Sequence, residues 1–258
     1  MNFVVGHPRS GTQLVAQILN AGRAGHCRHE YLAQLSSMCV TVPTDFYAGR
    51  AAREAVLRLL EHYEHTPTPW VSVDSNWKLT WILPVALERY PGARVVHLTR
   101  DPAENVRSCF NLDFYGDLHE TAAFRQRGFW LRAMPQIVRP DWEQLSRFER
   151  NCAFWTETHR LIGEALPAAS RSRRVRLEDL HDDTVVRGLF AFFDLPLPGR
   201  IHRALAARRP INRKVAIKRR VAQAGCEQLG EPAQWPDAYR EPLRRLCGQT
   251  ALELGYRT

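Results

Sequence analysis

The beginning of the chain constrains its fold more than any other stretch. It reads as an apolar strand over 3–5, a turn bounded by Gly6 and Gly11, and an apolar helix that begins near Thr12. A glycine-bounded turn between a strand and a helix points backbone N–H groups and the helix N-terminus at one spot, which can hold an anion. The spacing is that of a P-loop, but the lysine expected before Thr12 is absent and Arg9 lies in the turn instead. The turn therefore predicts a phosphate-like ligand and argues against an ordinary ATP or GTP site.

Strand and helix patterns alternate along the rest of the chain. The β-branched apolar run over 94–99 is typical of a buried parallel strand, and a further strand is predicted over 173–177. This alternation predicts an α/β fold with a parallel β-sheet flanked by helices, in which ligands bind beyond the carboxyl ends of the strands. His97 lies within the buried pattern and is predicted to be a core histidine. A length of 258 residues suits a single domain over 1–258.

The positive charge of the chain is concentrated in one segment. The net charge is +9, and between Asp194 and Glu227 the chain carries nine basic residues and no acidic one. A solvated basic face, a nucleic-acid surface and a site for a small polyanion all fit this composition. No stretch approaches the roughly 20 apolar residues of a membrane helix, so no membrane span is expected. The first strand begins at residue 3, which predicts a cytoplasmic protein without a signal peptide. The six scattered cysteines are expected to be reduced and mostly buried.

A second anion-binding pattern follows the strand over 94–99. Arg100 lies at the strand end and Ser108 lies eight residues later, close to a whole number of helical turns, so both can face one side. Asp101 can cap the intervening helix and Pro102 can begin it. A guanidinium and a hydroxyl together would bind an anion. The alternative is that Arg100 pairs with a carboxylate and Ser108 is a helix-surface residue.

The two patterns together resemble the PAPS-dependent sulfotransferases. Residues 6–12 match the family's loop for the 5′-phosphosulfate, and residues 95–108 match its strand and helix for the 3′-phosphate. The resemblance implies the P-loop NTPase-like three-layer sandwich of these enzymes. It also implies in-line transfer of a sulfuryl group from PAPS (3′-phosphoadenosine 5′-phosphosulfate) to a hydroxyl or amine of a small-molecule, carbohydrate or peptide acceptor. Further segments similar to the family lie at 90–94, 176–180 and 252–256.

The resemblance also implies which residues bind the donor. Arg9 would stabilise the departing phosphate oxygen, and no metal is expected because PAPS has no β- and γ-phosphates. A basic C-terminal lid over about 200–220 would close on the 3′-phosphate, and Lys78 is a further candidate for a donor contact. The residues expected to contact the donor are Arg9, Ser10, Gly11, Thr12, Gln13, Arg100, Ser108, Arg213 and Lys214.

Transfer to a hydroxyl or amine also requires a proton acceptor. Within the polar turn predicted over 21–30, Glu30 matches the catalytic glutamate of bacterial members of the family, and His29 is the second candidate. The alternative for Glu30 is a surface charge paired with Arg28. His26, Cys27, His29 and Glu30 match no zinc signature, so no metal site is predicted.

Two other functions remain open from the sequence. A metal-dependent, kinase-like phosphotransferase with a degenerate P-loop would require Mg²⁺ and ATP. A nucleic-acid-binding module would use the basic segment over 200–220, but no recognition motif supports a nucleic-acid partner. The acceptor pocket is expected within 30–50 and 110–139, where Phe114 and Tyr115 could line a cleft or belong to the core. Nothing in the sequence indicates the oligomeric state.

Overall fold

A parallel sheet organises the protein, as the sequence predicted. The computed structural model describes residues 1–21, 26–30, 53–54, 56–58, 60–61, 72–116, 139–198 and 215–257. Within these residues five strands pair in the order β2-β3-β1-β4-β5, and every pairing is parallel. The strands are β1 (Asn2–Gly6), β2 (Cys27–His29), β3 (Val73–Ser75), β4 (Arg94–Thr99) and β5 (Arg171–Arg176).

Helices alternate with these strands. The α-helices of the described residues are α1 (Thr12–Leu19), α2 (Leu83–Arg89), α3 (Pro102–Phe110), α4 (Arg147–Ala165), α5 (Asp183–Phe192), α6 (Val215–Gln223) and α7 (Asp237–Glu253). Short 3₁₀ helices lie at Trp77–Ile82, Trp142–Gln144, Leu166–Ala168, Leu177–His181 and Pro232–Gln234. None of the described helices is long and apolar enough to cross a membrane.

The described residues fall into two compact units. The first holds those up to Thr99 and those over 161–198, and the second holds 100–160 and 215–257. Most of the proposed lid and both Arg213 and Lys214 lie outside the described residues, so the single domain and its lid stay predictions.

The first unit contains the whole sheet. Strands β1 and β4 are buried from end to end apart from their first residues, as expected for central parallel strands. Gly6 permits a close approach between them, because a Cβ at this position would lie 2.4 Å from the carbonyl oxygen of Leu98. One face of the sheet packs on apolar side chains of α1 and α5; the core there includes Val4, Val15, Ile18, Leu19, Val96, Leu98, Leu189 and Phe190.

The second unit is built from α3, α7 and the part of α4 that ends at residue 160. Its core combines aliphatic side chains with five aromatic ones, Phe110, Phe148, Trp155, Trp235 and Tyr256. Helix α3 begins as the sequence predicted: the Asp101 carboxylate accepts a hydrogen bond from the backbone N–H of Glu104 at 3.0 Å, and Pro102 is the first helical residue. Phe114 and Tyr115 are buried, and Tyr115 contacts Trp142 edge-on, so of the two possibilities they belong to the core.

Two further predictions are resolved. The prediction of a polar turn over 21–30 is wrong in one part, because Cys27–His29 forms β2 and pairs with β3. The five described cysteines are free thiols, four of them buried, which confirms that they form no disulfide framework.

Candidate active site

The turn after β1 has the backbone conformation that its glycines predicted. Gly11 adopts a left-handed conformation with φ of 95°, and Arg9 has φ of 70°. The Ser10 N–H donates to the His7 carbonyl oxygen at 3.1 Å, which closes the turn immediately before α1. Helix α1 has no acidic residue in its first turn, so the positive end of its dipole is not neutralised from within the helix. This geometry fits a bound anion.

Ser75 connects this helix to the residues proposed to accept a proton. It lies fully buried at the carboxyl end of β3. Its Oγ donates to the Thr12 carbonyl oxygen at 2.6 Å, and its own carbonyl oxygen accepts from His29 Nδ1 at 2.8 Å and from the Glu30 N–H at 3.3 Å. The start of α1 and the end of β2 are therefore held together through one residue. Ser75 has no role in the sequence-based predictions, although a polar residue at the carboxyl end of a parallel strand is a usable signal of a ligand-binding edge.

Glu30 is held by two donors that follow β3. Its Oε2 accepts from Lys78 Nζ at 2.6 Å and its Oε1 accepts from Trp77 Nε1 at 3.0 Å. Burial raises the pKa of the Glu30 carboxyl, but the Lys78 charge and hydrogen bond, with His29 and Trp77, lower the pKa below its usual range. Glu30 thus forms its ion pair with Lys78, whereas the alternative from the sequence was an ion pair with Arg28. Glu30 is a carboxylate at neutral pH.

His29 is oriented by the Ser75 carbonyl group. A carbonyl oxygen can only accept, so the 2.8 Å contact places the proton of the neutral imidazole on Nδ1 and its lone pair on Nε2. His29 Nε2 lies 3.7 Å from Glu30 Oε1. An imidazole that accepts a proton at Nε2 would therefore become a cation beside a carboxylate. The two candidate bases form one pair.

The second anion motif lies in the other unit. Arg100 Nη2 lies 3.2 Å from Glu104 Oε2, so Arg100 is paired with a carboxylate, as the alternative interpretation of the sequence allowed. Ser108 follows Glu104 by four residues on α3 and thus shares its helix face. Arg100 lies directly after the end of β4, before α3 begins at Pro102, and Ser108 lies on α3, so the order of strand, arginine, helix and serine is as expected; the motif also contains its own carboxylate, Glu104.

The remaining site predictions are resolved less completely. Gln13 lies half-buried in the first turn of α1, while Arg213 and Lys214 lie outside the described residues. Cys27 packs in the apolar core of the first unit, where burial and then the Asp74 charge raise the pKa of its thiol. Among the described residues, no three His, Cys, Asp or Glu side chains converge as metal ligands.

Solved structures provide the comparison with known proteins, because neither a family model nor a curated protein matches the sequence. The sulfotransferase STF9 from Mycobacterium avium is similar with a TM-score of 0.52 and 11% identity, over 99% of this chain and 77% of that chain. A sulfotransferase domain from the curacin biosynthetic pathway gives a TM-score of 0.48 at 15% identity, over 100% of this chain and 98% of that one. A sulfotransferase from Alicyclobacillus acidocaldarius gives a TM-score of 0.44 at 15% identity, over 92% of this chain and 97% of that chain. At such identities the likeness concerns the fold, and the predicted fold is confirmed: this chain has the sulfotransferase fold.

Proposed function

We propose that the protein transfers a sulfuryl group from PAPS to a hydroxyl or amine of a small-molecule, carbohydrate or peptide acceptor. The observation that carries this proposal is the junction at Ser75, which ties the anion-binding start of α1 to the Glu30 and His29 pair. A group-transfer site needs an anion cradle for the donor and a proton acceptor for the nucleophile, and the residues proposed for these two roles are linked through this junction. The sulfotransferase fold supports the same reaction class.

The turn after β1 would hold the phosphosulfate. Backbone N–H groups over 10–13 and the positive end of α1 favour an anion, and the left-handed Gly11 allows the chain to turn around it. As the S–O bond to the phosphate breaks, negative charge develops on the phosphate oxygen. The Arg9 guanidinium keeps its proton at any working pH, so its proposed role is electrostatic stabilisation of that oxygen. Arg100 and Ser108 are proposed to bind the 3′-phosphate.

The His29 and Glu30 pair would take the proton of the acceptor. The new S–O or S–N bond forms as the acceptor loses its proton, and His29 Nε2 carries a lone pair that can receive it. The resulting imidazolium would be stabilised by Glu30, which stays ionised because of Lys78. Lys78 has a second effect: it compensates a carboxylate charge that would otherwise repel an anionic donor.

Nucleotide binding tests the donor. By titration calorimetry we expect adenosine 3′,5′-bisphosphate to bind at least tenfold more tightly than adenosine 5′-monophosphate, because about 1.4 kcal/mol is the least that a charge-assisted phosphate contact contributes. Sulfuryl transfer from labelled PAPS to a panel of hydroxyl and amine acceptors should persist in EDTA. Equal binding of the two nucleotides, or binding of ATP with an absolute need for Mg²⁺, would contradict the proposal and favour a kinase-like enzyme.

Two substitutions test the proton acceptor. His29→Gln should lower kcat by about 100-fold or more, the usual contribution of a general base, with little change in nucleotide affinity. Glu30→Gln should also lower kcat, because it removes the carboxylate charge beside the imidazolium, and should likewise spare nucleotide affinity. Glu88→Gln is the control, because Glu88 forms an exposed ion pair with Arg53 in the same unit. Full turnover in both variants would remove the pair as the base.

A further inference from the structure

Two guanidinium groups, that of Arg100 just before α3 and that of Arg107 within it, converge on one carboxylate oxygen. Arg100 Nη2 lies 3.2 Å and Arg107 Nη2 lies 3.0 Å from the same atom, Glu104 Oε2. The sequence motif gives Arg100 a role but gives Arg107 none. Convergence of two cations on one oxygen is the arrangement that a phosphate oxygen would meet.

The helix places these groups on the face already assigned to an anion. Arg107 and Ser108 follow Glu104 by three and four residues, so these three belong to one face of α3. Arg100 lies two residues before α3 and meets this face through its contact with Glu104. The Glu104 carboxylate therefore lies in the middle of the predicted anion site.

A loop residue contacts the other terminal nitrogen of the Arg107 guanidinium. Arg107 Nη1 lies 2.5 Å from Glu231 Oε2, while Nη2 is directed at Glu104. Glu231 is 68% exposed, so this ion pair by itself contributes little to stability. The two contacts use different terminal nitrogens of one planar group, so Arg107 can bind Glu231 while its Nη2 stays directed at Glu104.

The Glu104 contacts are of a kind that a phosphate can replace. The side chains of Arg100, Arg107 and Glu104 are 21%, 22% and 32% exposed. Ion pairs between partly exposed groups contribute little to stability, since solvent screens them and the side chains lose conformational freedom. A phosphate dianion carries more charge and offers more acceptor oxygens than one carboxylate, so it binds the same two guanidinium groups more strongly.

We propose that Arg107 is a second guanidinium ligand of the donor's 3′-phosphate, and that Glu104 occupies the site until the phosphate displaces it. This inference rests on the proposed function. It makes the site selective for a dianionic group, because a weak anion would not compete with Glu104 for both arginines.

Binding of two nucleotides to three variants tests the proposal. Arg107→Gln should weaken binding of adenosine 3′,5′-bisphosphate by about tenfold, the effect of losing a hydrogen bond to a charged group, and leave adenosine 5′-monophosphate within about twofold. The Arg107→Lys variant should bind the bisphosphate with an affinity between those of wild type and Arg107→Gln, since lysine keeps the charge but loses the planar fork. Glu104→Gln should tighten bisphosphate binding by roughly twofold to fivefold, because it removes a competing surface ion pair. The readout is the dissociation constant from calorimetry, which needs no acceptor.

Arg187→Gln is the matched control for lost charge. Arg187 forms an i,i+4 ion pair with Asp183 at 2.9 Å on α5 and has no proposed role. The inference is overturned if Arg107→Gln retains the wild-type ratio of the two dissociation constants, or if Glu104→Gln binds the bisphosphate no more tightly than wild type. A wild-type protein that does not distinguish the two nucleotides would instead contradict the proposed function. A lower melting temperature with an unchanged ratio would assign Arg107 a purely structural role.

Discussion

Single residues decide the geometry of the turn after β1. Gly11 takes a left-handed conformation at the point where the chain enters α1, and a Cβ there would lie 2.5 Å from Leu177 Cδ1. Leu177 has a flexible side chain that can move, whereas the φ of 95° strains any residue that carries a Cβ. The conformation of this residue, more than the space around it, is what requires glycine.

Gly11→Ala is therefore expected to lower the free energy of unfolding by about 1–2 kcal/mol, the cost of a left-handed conformation for an L-residue. It should also weaken nucleotide binding, because relief of the strain would redirect the N–H groups of the turn. Urea unfolding and calorimetry measure the two effects. Gly92→Ala is the control, since a Cβ at Gly92 meets nothing within 4 Å. Equal stability of the two variants would show that the turn tolerates a side chain.

At the scale of elements, the end of α3 depends on an arginine from α4. Arg147 Nη2 donates to the Phe110 carbonyl oxygen at 2.5 Å and lies 3.0 Å from Asp113 Oδ1, and its guanidinium lies 3.9 Å from the Phe110 ring. The Asp113 side chain is 2% exposed. Arg147 thus satisfies a helix-terminal carbonyl group and a buried carboxylate together.

Arg147→Met should destabilise the protein by about 2–4 kcal/mol, because it leaves the Asp113 charge buried without this partner. The double variant Arg147→Met/Asp113→Asn should recover part of that loss, and a double-mutant cycle by urea unfolding gives the coupling. Arg187→Met is the control for loss of an exposed ion pair. The Arg187 side chain is 51% exposed and pairs with Asp183, so this variant should lose about 1 kcal/mol or less. Similar losses in the two single variants would contradict a special role for Arg147.

The elements that sequence reasoning found are those with a local signal. The run over 94–99 carries a β-branched apolar pattern, and α3 carries its cap and proline, so β4 and the start of α3 could be predicted. Strand β2 spans three residues and exists because it pairs with β3, far along the chain, so no local pattern marks it. The same limit applies to the site. Glu30 and His29 could be named from their motif, but Ser75, Trp77 and Lys78 reach them through sheet pairing that the sequence does not display.

At the scale of the whole molecule, a buried histidine couples folding to pH. His97 lies in the central strand β4, in register with Val5 of β1 and Arg174 of β5, and is 2% exposed. Burial, and then the charge of Arg174, lower the pKa of His97 to about 3. The predicted core position of His97 is confirmed.

Stability should therefore fall as the pH is lowered from about 6.5, the ordinary pKa of histidine in an unfolded chain. Between that value and about 3 the unfolded chain binds a proton at His97 that the folded protein excludes. Linkage then makes the free energy of unfolding drop by up to about 1.4 kcal/mol per pH unit from this residue alone.

In His97→Gln the slope of the free energy of unfolding between pH 6 and pH 4 should be smaller than in wild type by about 1 kcal/mol per unit, whatever the variant's stability at neutral pH. Urea unfolding at several pH values measures both slopes, with His181→Gln as the control for loss of an exposed histidine. Parallel curves for wild type and His97→Gln would contradict the prediction, because they would show that the folded protein binds a proton at His97 as readily as the unfolded chain does.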